Sequence, residues 1–220
     1  MSIRLAPRVL ILCFLVCMMP TPAVPGGSSE TVLHPTGDFW DRQAPESFRT
    51  RVATSEGDFV FEVHRSWSPI GVDRFYNLVR AGFFDDSRFY RVRADYIAQF
   101  GIPGDPAVSA VWRDRAMEDD PVVVSNLRGT IAYAMTGPDT RTTQLFITLV
   151  DNPHLDGQGF APIGRVVAGM DVADRLYAGY DEDAGGGMRG GKQGKIFSGG
   201  NAHLDENFPD LTKLESVTLE

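Results

Sequence analysis

The amino-acid sequence predicts a mainly β domain, a closed antiparallel barrel that is capped by two α-helices. Composition favours this fold class, because the 220 residues include 23 glycines, 14 prolines and 10% aromatic residues, a balance typical of short strands joined by turns. The patterning agrees, since most periodic segments alternate apolar and polar residues and only two have helical spacing. The net charge of -8 argues against a nucleic-acid-binding domain, which needs clustered cations.

Residues 1–23 are interpreted as a signal peptide. Arg4 and Arg8 precede an uncharged apolar run at residues 9–19, and small residues follow the run, as a cleavage site requires. The run is well short of the roughly 20 apolar residues that span a membrane, so an uncleaved anchor is the less favoured alternative. The sequence therefore predicts export to a secretory-pathway lumen, a periplasm or the exterior, with membrane contact only if the segment stays uncleaved.

The mature chain is expected to consist of a flexible arm and one folded domain. Residues 24–47 mix proline, glycine and polar residues without a helical or strand period, which is typical of a tether. Residues 48–220 form the predicted domain. Both cysteines, Cys13 and Cys17, lie in the predicted signal peptide, so the mature domain would hold no disulfide, no cysteine nucleophile and no cysteine metal ligand.

A hairpin and a helix are predicted at the start of the domain. Residues 48–53 and 59–63 alternate apolar and polar side chains on either side of a turn-forming run at residues 55–58. A Ser-Pro pair at residues 68–69 then gives an N-cap and first-turn signature, apolar residues recur at helical spacing, and Gly82 ends the pattern.

Turn-rich segments separate the remaining elements. Further strands are predicted at residues 88–92, 95–99, 130–135, 144–150, 160–167 and 214–219. The spacing of Met170, Ala173 and Tyr177 predicts the second helix. Residues 101–125, which are punctuated by glycine and proline, are interpreted as a long excursion, and the glycine-rich, charged residues 181–200 as an exposed loop. Antiparallel strands with two helices favour the capped barrel.

Several kinds of catalytic site are excluded by the sequence. Gly185, Gly187 and Gly190 match G-x-G-x-x-G by spacing, but no predicted strand precedes them and no predicted helix follows, so they are interpreted as loop glycines. The four histidines are not at metal-ligand spacing, and neither G-x-S-x-G nor H-E-x-x-H occurs. We therefore expect neither a metal nor a cofactor.

Short motifs occur in a fixed order between residues 48 and 177. They include Phe-Tyr-Arg-Val at 89–92, Tyr-Ile-Ala-Gln at 96–99, Gly-Thr-Ile-Ala-Tyr-Ala-Met at 129–135, Gln-Leu-Phe-Ile at 144–147, Leu-Asp-Gly at 155–157 and Gly-Arg-Val-Val at 164–167. In this order they resemble the cyclophilin family of peptidyl-prolyl cis-trans isomerases. The resemblance implies an eight-stranded antiparallel barrel with two capping helices and a proline-binding groove on its outer face.

The implied reaction needs a hydrogen-bond donor rather than a nucleophile. Rotation about an X-Pro bond breaks amide resonance, at a barrier of about 18 to 20 kcal/mol, and a donor against the prolyl nitrogen stabilises the twisted state. The resemblance gives this role to Arg91, with Gln99 holding the substrate carbonyl or ordering Arg91. It implies an apolar slot for the proline ring formed by Tyr96, Ile97, Phe146 and Leu155, and a peptide groove lined by Ala134, Met135 and Gln144.

The chain departs from the family at two positions of the groove. His154 stands where the family has a pocket tryptophan, and Phe160 where it usually has a histidine. Both are expected to contact substrate, although His154 is equally compatible with a solvated loop position. Strand alternation places Ile97 and Gln99 on one face, and Arg91 joins them only in one of the two possible strand registers.

The expected partners are proline-containing peptides and unfolded protein clients, with no nucleic acid and no metal, bound by a monomer. Two functions stay open. The first is an active isomerase that assists the folding of exported proteins, where unaided prolyl isomerisation takes tens of seconds or longer. The second is a non-catalytic proline-peptide binding module on the same barrel. Arg91 favours the first, and a structural barrel without a ligand would leave the Arg91, Gln99 and Phe146 combination unexplained.

Overall fold

The computed structural model describes residues 29–185 and 193–220, and within them nine strands form one antiparallel sheet. The strands are β1 (Ser47–Thr54), β2 (Gly57–His64), β3 (Ser87–Arg88), β4 (Arg91–Val92), β5 (Ile97–Phe100), β6 (Thr130–Tyr133), β7 (Leu145–Thr148), β8 (Pro162–Ala168) and β9 (Lys213–Leu219). Their order across the sheet is β3-β9-β1-β2-β8-β6-β7-β5-β4.

The two edge strands of this sheet are neighbours in the chain. β3 pairs with β9 and β4 pairs with β5, yet only Phe89 and Tyr90 separate β3 from β4. Because an extended residue advances the chain by at most about 3.6 Å, the two edges lie close together and the sheet curls into a barrel. The predicted mainly β antiparallel barrel is confirmed, and β3 and β4 together correspond to one interrupted strand of the eight that the resemblance implies.

The predicted hairpin is formed by β1 and β2. The strands pair in register from Ser47 opposite His64 to Thr54 opposite Gly57. Gly57 adopts a φ of 118°, a conformation that suits glycine at the end of a tight turn, and its carbonyl accepts a hydrogen bond of 2.7 Å from the Thr54 hydroxyl. The inward-facing residues of the two strands are buried in the barrel: Thr50, Val52, Phe59, Phe61 and Val63.

The first predicted helix is α2 (Pro69–Arg80), and its N-terminus is capped from a distant part of the chain. Ser68, the expected N-cap, makes no capping hydrogen bond with its side chain. Instead the Asp120 carboxylate accepts hydrogen bonds from the backbone N–H groups of Ile70 and Gly71, at 3.0 and 2.9 Å, and from the Ser68 hydroxyl at 2.6 Å. Asp120 therefore satisfies the helix N-terminus.

Four more helices are described: α1 (Ser29–Leu33), α3 (Pro106–Trp112), α4 (Met170–Arg175) and α5 (Gly194–Asn207), and short 3-10 helices cover Arg65–Trp67 and Pro153–Gln158. α4 is the second predicted helix. α3 and α5 correct the expectation of loops at residues 101–125 and 181–200. The Asp105 side chain caps α3 by accepting a hydrogen bond from a backbone N–H at 2.8 Å, and α5 bends at Gly200, where φ is 53°. Pro106 thus begins α3, and Gly194 and Gly200 lie at the start and at the bend of α5.

The segment before the barrel packs on the domain where it is described. Trp112 donates its indole N–H to the Val32 carbonyl at 2.7 Å, and the Trp40 ring lies 4.7 Å from the Trp112 ring. The Ala44 N–H donates to the Asp73 carboxylate at 2.9 Å. The described part of the predicted flexible arm therefore packs on the domain instead of forming a free tether. The sequence pattern does not reveal this, because the apolar residues that pack are isolated and have no helical or strand period. The predicted signal peptide lies outside the described residues.

The residues on both faces of β5 and β7 are buried, those on one face in the barrel core. The inward side chains Ala98, Phe100, Leu145 and Ile147 belong to the barrel core. A separate buried cluster joins the segment after α4 to α5 and consists of Tyr90, Ile102, Ala184, Ile196, Leu204 and Leu211.

Within residues 29–185 and 193–220, no helix is long and apolar enough to cross a membrane.

Candidate active site

The strand register brings the expected catalytic residues into one row. Arg91 pairs with Gln99 between β4 and β5, Gln99 with Phe146 between β5 and β7, and Phe146 with Ala132 between β7 and β6. Directly paired residues point to the same face of a sheet. Because the alternate residues of β5 and β7 fill the barrel core, this row lies on the outer face, and Arg91 joins Ile97 and Gln99 there.

An open groove of about 760 Å³ runs along this face. It is lined by the predicted residues Arg91, Tyr96, Ile97, Gln99, Ala134, Met135, Gln144, Phe146, Leu155 and Phe160. The structure therefore brings together ten of the eleven residues expected from the sequence. Among the described residues, no group of three or more His, Cys, Asp or Glu side chains is placed to hold a metal ion.

One part of the groove is an apolar slot. Its floor consists of the buried side chains Ile97, Ala132, Phe146 and Leu155, and Tyr96, Ala134 and Phe160 pack against them. The rings of Phe146 and Phe160 meet edge to face with centroids 5.6 Å apart, a favourable aromatic geometry. The apolar lining of this slot is suited to a small apolar ring.

Beside the slot, a chain of hydrogen bonds fixes the polar side chains. Arg91 donates from Nη1 to the Gln99 side-chain oxygen at 3.0 Å, and Gln99 donates from Nε2 to the Gln144 oxygen at 3.0 Å. The hydroxyl of Tyr90 donates to the same Gln144 oxygen at 2.5 Å, and burial raises the pKa of Tyr90, so the hydroxyl stays protonated. The Gln99 oxygen is therefore held toward Arg91 and contacts it directly.

An acidic residue that the sequence did not indicate completes this network. Glu182 lies after α4, and its carboxylate accepts a hydrogen bond from Arg91 Nη2 at 2.6 Å. Burial on its own would raise the pKa of Glu182, but the hydrogen bond and charge of Arg91, aided by Arg93, lower it overall. Its only sequence signal is membership of an acidic run next to glycines, which also fits a solvated loop.

Two helices absent from the sequence prediction form a further wall of the groove. Arg113 follows α3, Phe197 lies in α5, and the Arg113 guanidinium is 5.1 Å from the centre of the Phe197 ring. Gln193, at the start of α5, accepts a hydrogen bond from Gln144 at 3.1 Å. The wall therefore connects α5 to the polar network around Arg91.

His154 lies outside the groove lining. It is exposed, and its ring stacks on the outer rim residue Tyr96 with centroids 6.1 Å apart and an interplanar angle of 12°. The 3-10 helix that carries it is anchored by Asp156, which accepts hydrogen bonds from the Ser125 hydroxyl at 2.5 Å and from the Asn126 N–H at 2.8 Å. Of the two alternatives for position 154, the structure has the exposed loop position, with the ring stacked on a groove residue. Contact of His154 with substrate stays a prediction.

Comparison with known proteins identifies the family of this chain. Residues 49–190 match the family model described as cyclophilin type peptidyl-prolyl cis-trans isomerase/CLD. The chain belongs to the cyclophilin family. It is similar to peptidyl-prolyl cis-trans isomerase A of Dickeya dadantii, with 32% identity over 147 residues that cover 64% of this chain and 77% of that protein. This cyclophilin is therefore a peptidyl-prolyl cis-trans isomerase.

Two further similarities agree with this assignment. A peptidyl-prolyl cis-trans isomerase of Helicobacter pylori is 30% identical over 146 residues, which cover 66% of this chain and 89% of that protein. A crystal structure of a cyclophilin type peptidyl-prolyl cis-trans isomerase of Cryptosporidium parvum matches with a TM-score of 0.57 at 19% identity, covering 79% of this chain and 98% of that chain. The structural match supports the cyclophilin fold.

Proposed function

We propose that this cyclophilin isomerises prolyl bonds of unfolded client proteins through Arg91, and that it acts in an exported compartment. One observation carries the catalytic part of the proposal. Arg91, Gln99 and Phe146 are direct neighbours across three strands, so a guanidinium stands beside an apolar slot. A peptide whose proline ring enters the slot brings its prolyl nitrogen to the guanidinium.

The slot contributes orientation and a water-poor environment. Phe146 and Leu155 are almost fully buried in the floor, and the partly exposed Tyr96, Ala134 and Phe160 offer the apolar surface from which a proline ring displaces water. Gln144 and Met135 line the adjoining part of the groove, where the peptide backbone would lie. With water excluded, a hydrogen bond to the reacting nitrogen is stronger than the same bond in bulk solvent.

The guanidinium acts on the bond that rotates. In the planar amide the nitrogen lone pair is delocalised, whereas in the twisted state it is localised on a pyramidal nitrogen that accepts a hydrogen bond. Arg91 donates one N–H from Nη1 to Gln99 and one from Nη2 to Glu182, and each of these nitrogens carries a second N–H. A donor directed at the nitrogen stabilises the twisted state more than the planar one, which lowers the barrier.

The proposed compartment rests on the N-terminal sequence. Arg4 and Arg8 before the apolar run at residues 9–19 are typical of a signal peptide. Intact mass of the protein recovered from its native host tests this, since a cleaved chain begins near Val24. A recovered chain that still contains Cys13 and Cys17 would contradict export by cleavage.

A prolyl-peptide assay on the purified protein tests the proposed mechanism. Isomerisation of an X-Pro peptide is followed by NMR exchange, which needs no coupled protease, for the wild type and for Arg91→Ala. We expect catalysis by the wild type and a large loss in the variant, with the peptide still bound. Full activity of Arg91→Ala would contradict the role of Arg91.

A further inference from the structure

We propose that Glu182 is a positioning residue that holds the Arg91 guanidinium in its catalytic orientation. This inference rests on the proposed role of Arg91. The Glu182 carboxylate lies 2.6 Å from Arg91 Nη2, and on the opposite terminal nitrogen Arg91 Nη1 bonds to Gln99 at 3.0 Å. A guanidinium that is anchored at both terminal nitrogens cannot rotate without breaking a hydrogen bond.

The backbone around Glu182 is itself held in place. Ala184 is buried against Tyr90 and Ile196 in the cluster that joins this segment to α5. The Asp183 N–H donates to the Tyr180 carbonyl at 2.8 Å. Glu182 is therefore presented by a packed turn rather than by a free loop.

Close packing at the next glycine fixes the other side of Arg91. A Cβ added to Gly185 would lie 2.8 Å from Arg91 Cβ and 3.3 Å from the Tyr90 carbonyl oxygen. The turn thus lies directly against the aliphatic part of Arg91 as well as against its guanidinium. This contact explains how a residue on the outer face of the barrel is only 7% exposed.

Glu182 contacts Arg91 from outside the groove. Arg91 and Gln99 belong to the groove lining, whereas Glu182 does not. A substrate in the groove therefore meets the guanidinium and not the carboxylate. Since Glu182 does not reach the reacting atoms, any effect on catalysis passes through Arg91, which is the definition of a positioning role.

Two physical effects of the carboxylate on Arg91 oppose each other. A fixed donor needs no reorganisation when the twisted state forms, so anchoring accelerates the reaction. A nearby negative charge also weakens the field of the guanidinium at the prolyl nitrogen, which slows it. Because directed hydrogen bonding depends on geometry within about 0.5 Å and 10–20°, we infer that anchoring dominates, and removal of Glu182 then lowers kcat.

Variants at position 182 separate anchoring from charge. Glu182→Ala removes the anchor and the charge, Glu182→Gln keeps an oxygen that accepts the Arg91 hydrogen bond but removes the charge, and Glu182→Asp keeps the charge but withdraws it by one methylene. Asp183→Asn is the matched control, since it removes one negative charge from the adjacent, exposed position. All four are assayed as the full chain with Arg91→Ala in parallel.

For anchoring we expect kcat of Glu182→Ala to fall about tenfold and kcat of Glu182→Asp about threefold, with KM within twofold in both. Glu182→Gln restores most of the wild-type kcat, and Asp183→Asn leaves it unchanged. An unchanged or increased kcat in Glu182→Ala, or an unchanged kcat in Glu182→Asp should the alanine variant fail to fold, would overturn the inference. If Arg91→Ala itself kept full activity, the proposed function would fail instead.

Discussion

Replacing Arg91 tests the centre of the site, because this side chain is hydrogen-bonded to Gln99 and Glu182 and lies beside the apolar slot. Arg91→Ala removes the donors while Gln99, Phe146 and the groove stay in place. Loss of one preorganised donor at a reacting centre costs about 2.7 to 4 kcal/mol, which is roughly two to three orders of magnitude in rate. We take the lower value, because the prolyl nitrogen gains a localised lone pair in the twisted state but no full negative charge for Arg91 to stabilise.

The expected result is a fall in kcat/KM of about two orders of magnitude for Arg91→Ala, with peptide affinity changed much less. In the proposed complex the slot supplies most of the apolar contact with the proline ring, because Arg91 forms none of the slot floor. Binding of the same peptide is measured by titration on the unreacted protein, so affinity and rate are obtained separately.

Arg91→Lys distinguishes oriented donation from charge alone. Lysine keeps the positive charge, but an ammonium is a compact point charge and cannot bond to Gln99 and Glu182 with the planar fork of a guanidinium. We therefore expect Arg91→Lys to recover only a small part of the lost activity. Recovery of most of it would mean that the electrostatic field suffices and that orientation is unimportant.

Stability has to be measured for both variants, because removing Arg91 leaves the Gln99 oxygen without its partner and leaves the Glu182 carboxylate with Arg93 alone. An orphaned buried polar group costs about 1 to 3 kcal/mol, so a lower melting temperature is expected together with a native circular dichroism spectrum. If folded Arg91→Ala kept nearly full activity, or lost binding and activity in equal proportion, the catalytic role of Arg91 would be wrong.

Three further predictions follow from the geometry. Phe146→Ala removes the centre of the slot floor, and titration of a folded sample should show peptide binding about tenfold weaker, since a lost apolar contact in a pocket is worth ~1–3 kcal/mol; unchanged binding would mean that proline enters elsewhere. Asp120→Ala uncaps α2 and leaves the buried Arg141 with Asp119 as its remaining carboxylate partner, so denaturant unfolding should show a loss of about 2 to 4 kcal/mol, against less than about 1 kcal/mol for Asp58→Ala in an exposed pair with Arg51. The described groove lining contains no His, Asp or Glu. Because the pKa of Glu182 is lowered, its ion pair with Arg91 is complete above the ordinary pKa of glutamate and is lost only as pH falls through the lowered pKa. The value of kcat/KM should therefore be flat between about pH 5.5 and 8, and a transition near pH 6.5 would implicate a histidine.

Local patterning predicts much of this fold because the relevant signals are short-range. The hairpin of β1 and β2 and the apolar stripe of α2 are visible in runs of a few residues. The row of Arg91 and Gln99 is different, since a register shift by one residue would turn Arg91 toward the barrel interior. Only the packed structure decides between these two registers.

The parts of the site that the sequence does not reveal depend on long-range contacts. Glu182 meets Arg91 across 91 residues of chain, and Asp120 caps α2 across 50. In the sequence, neither the surrounding composition nor the spacing of these two acidic residues distinguishes them from solvated ones. The sequence does not predict α5 for another reason. Its glycines indicate a loop by composition, although Gly200 lies at a bend within the helix.

These long-range contacts change the electrostatics of Arg91. An arginine on the outer face of a barrel strand would ordinarily be solvated, and its hydrogen bonds would then compete with water. Here the turn that carries Glu182 and Gly185 covers it, so its donors act in a less polar environment, where each hydrogen bond is stronger. Burying a guanidinium in this way is costly without a partner charge. Glu182 therefore makes the covered position of Arg91 stable, and the cover in turn makes the Arg91 donors effective at the prolyl nitrogen.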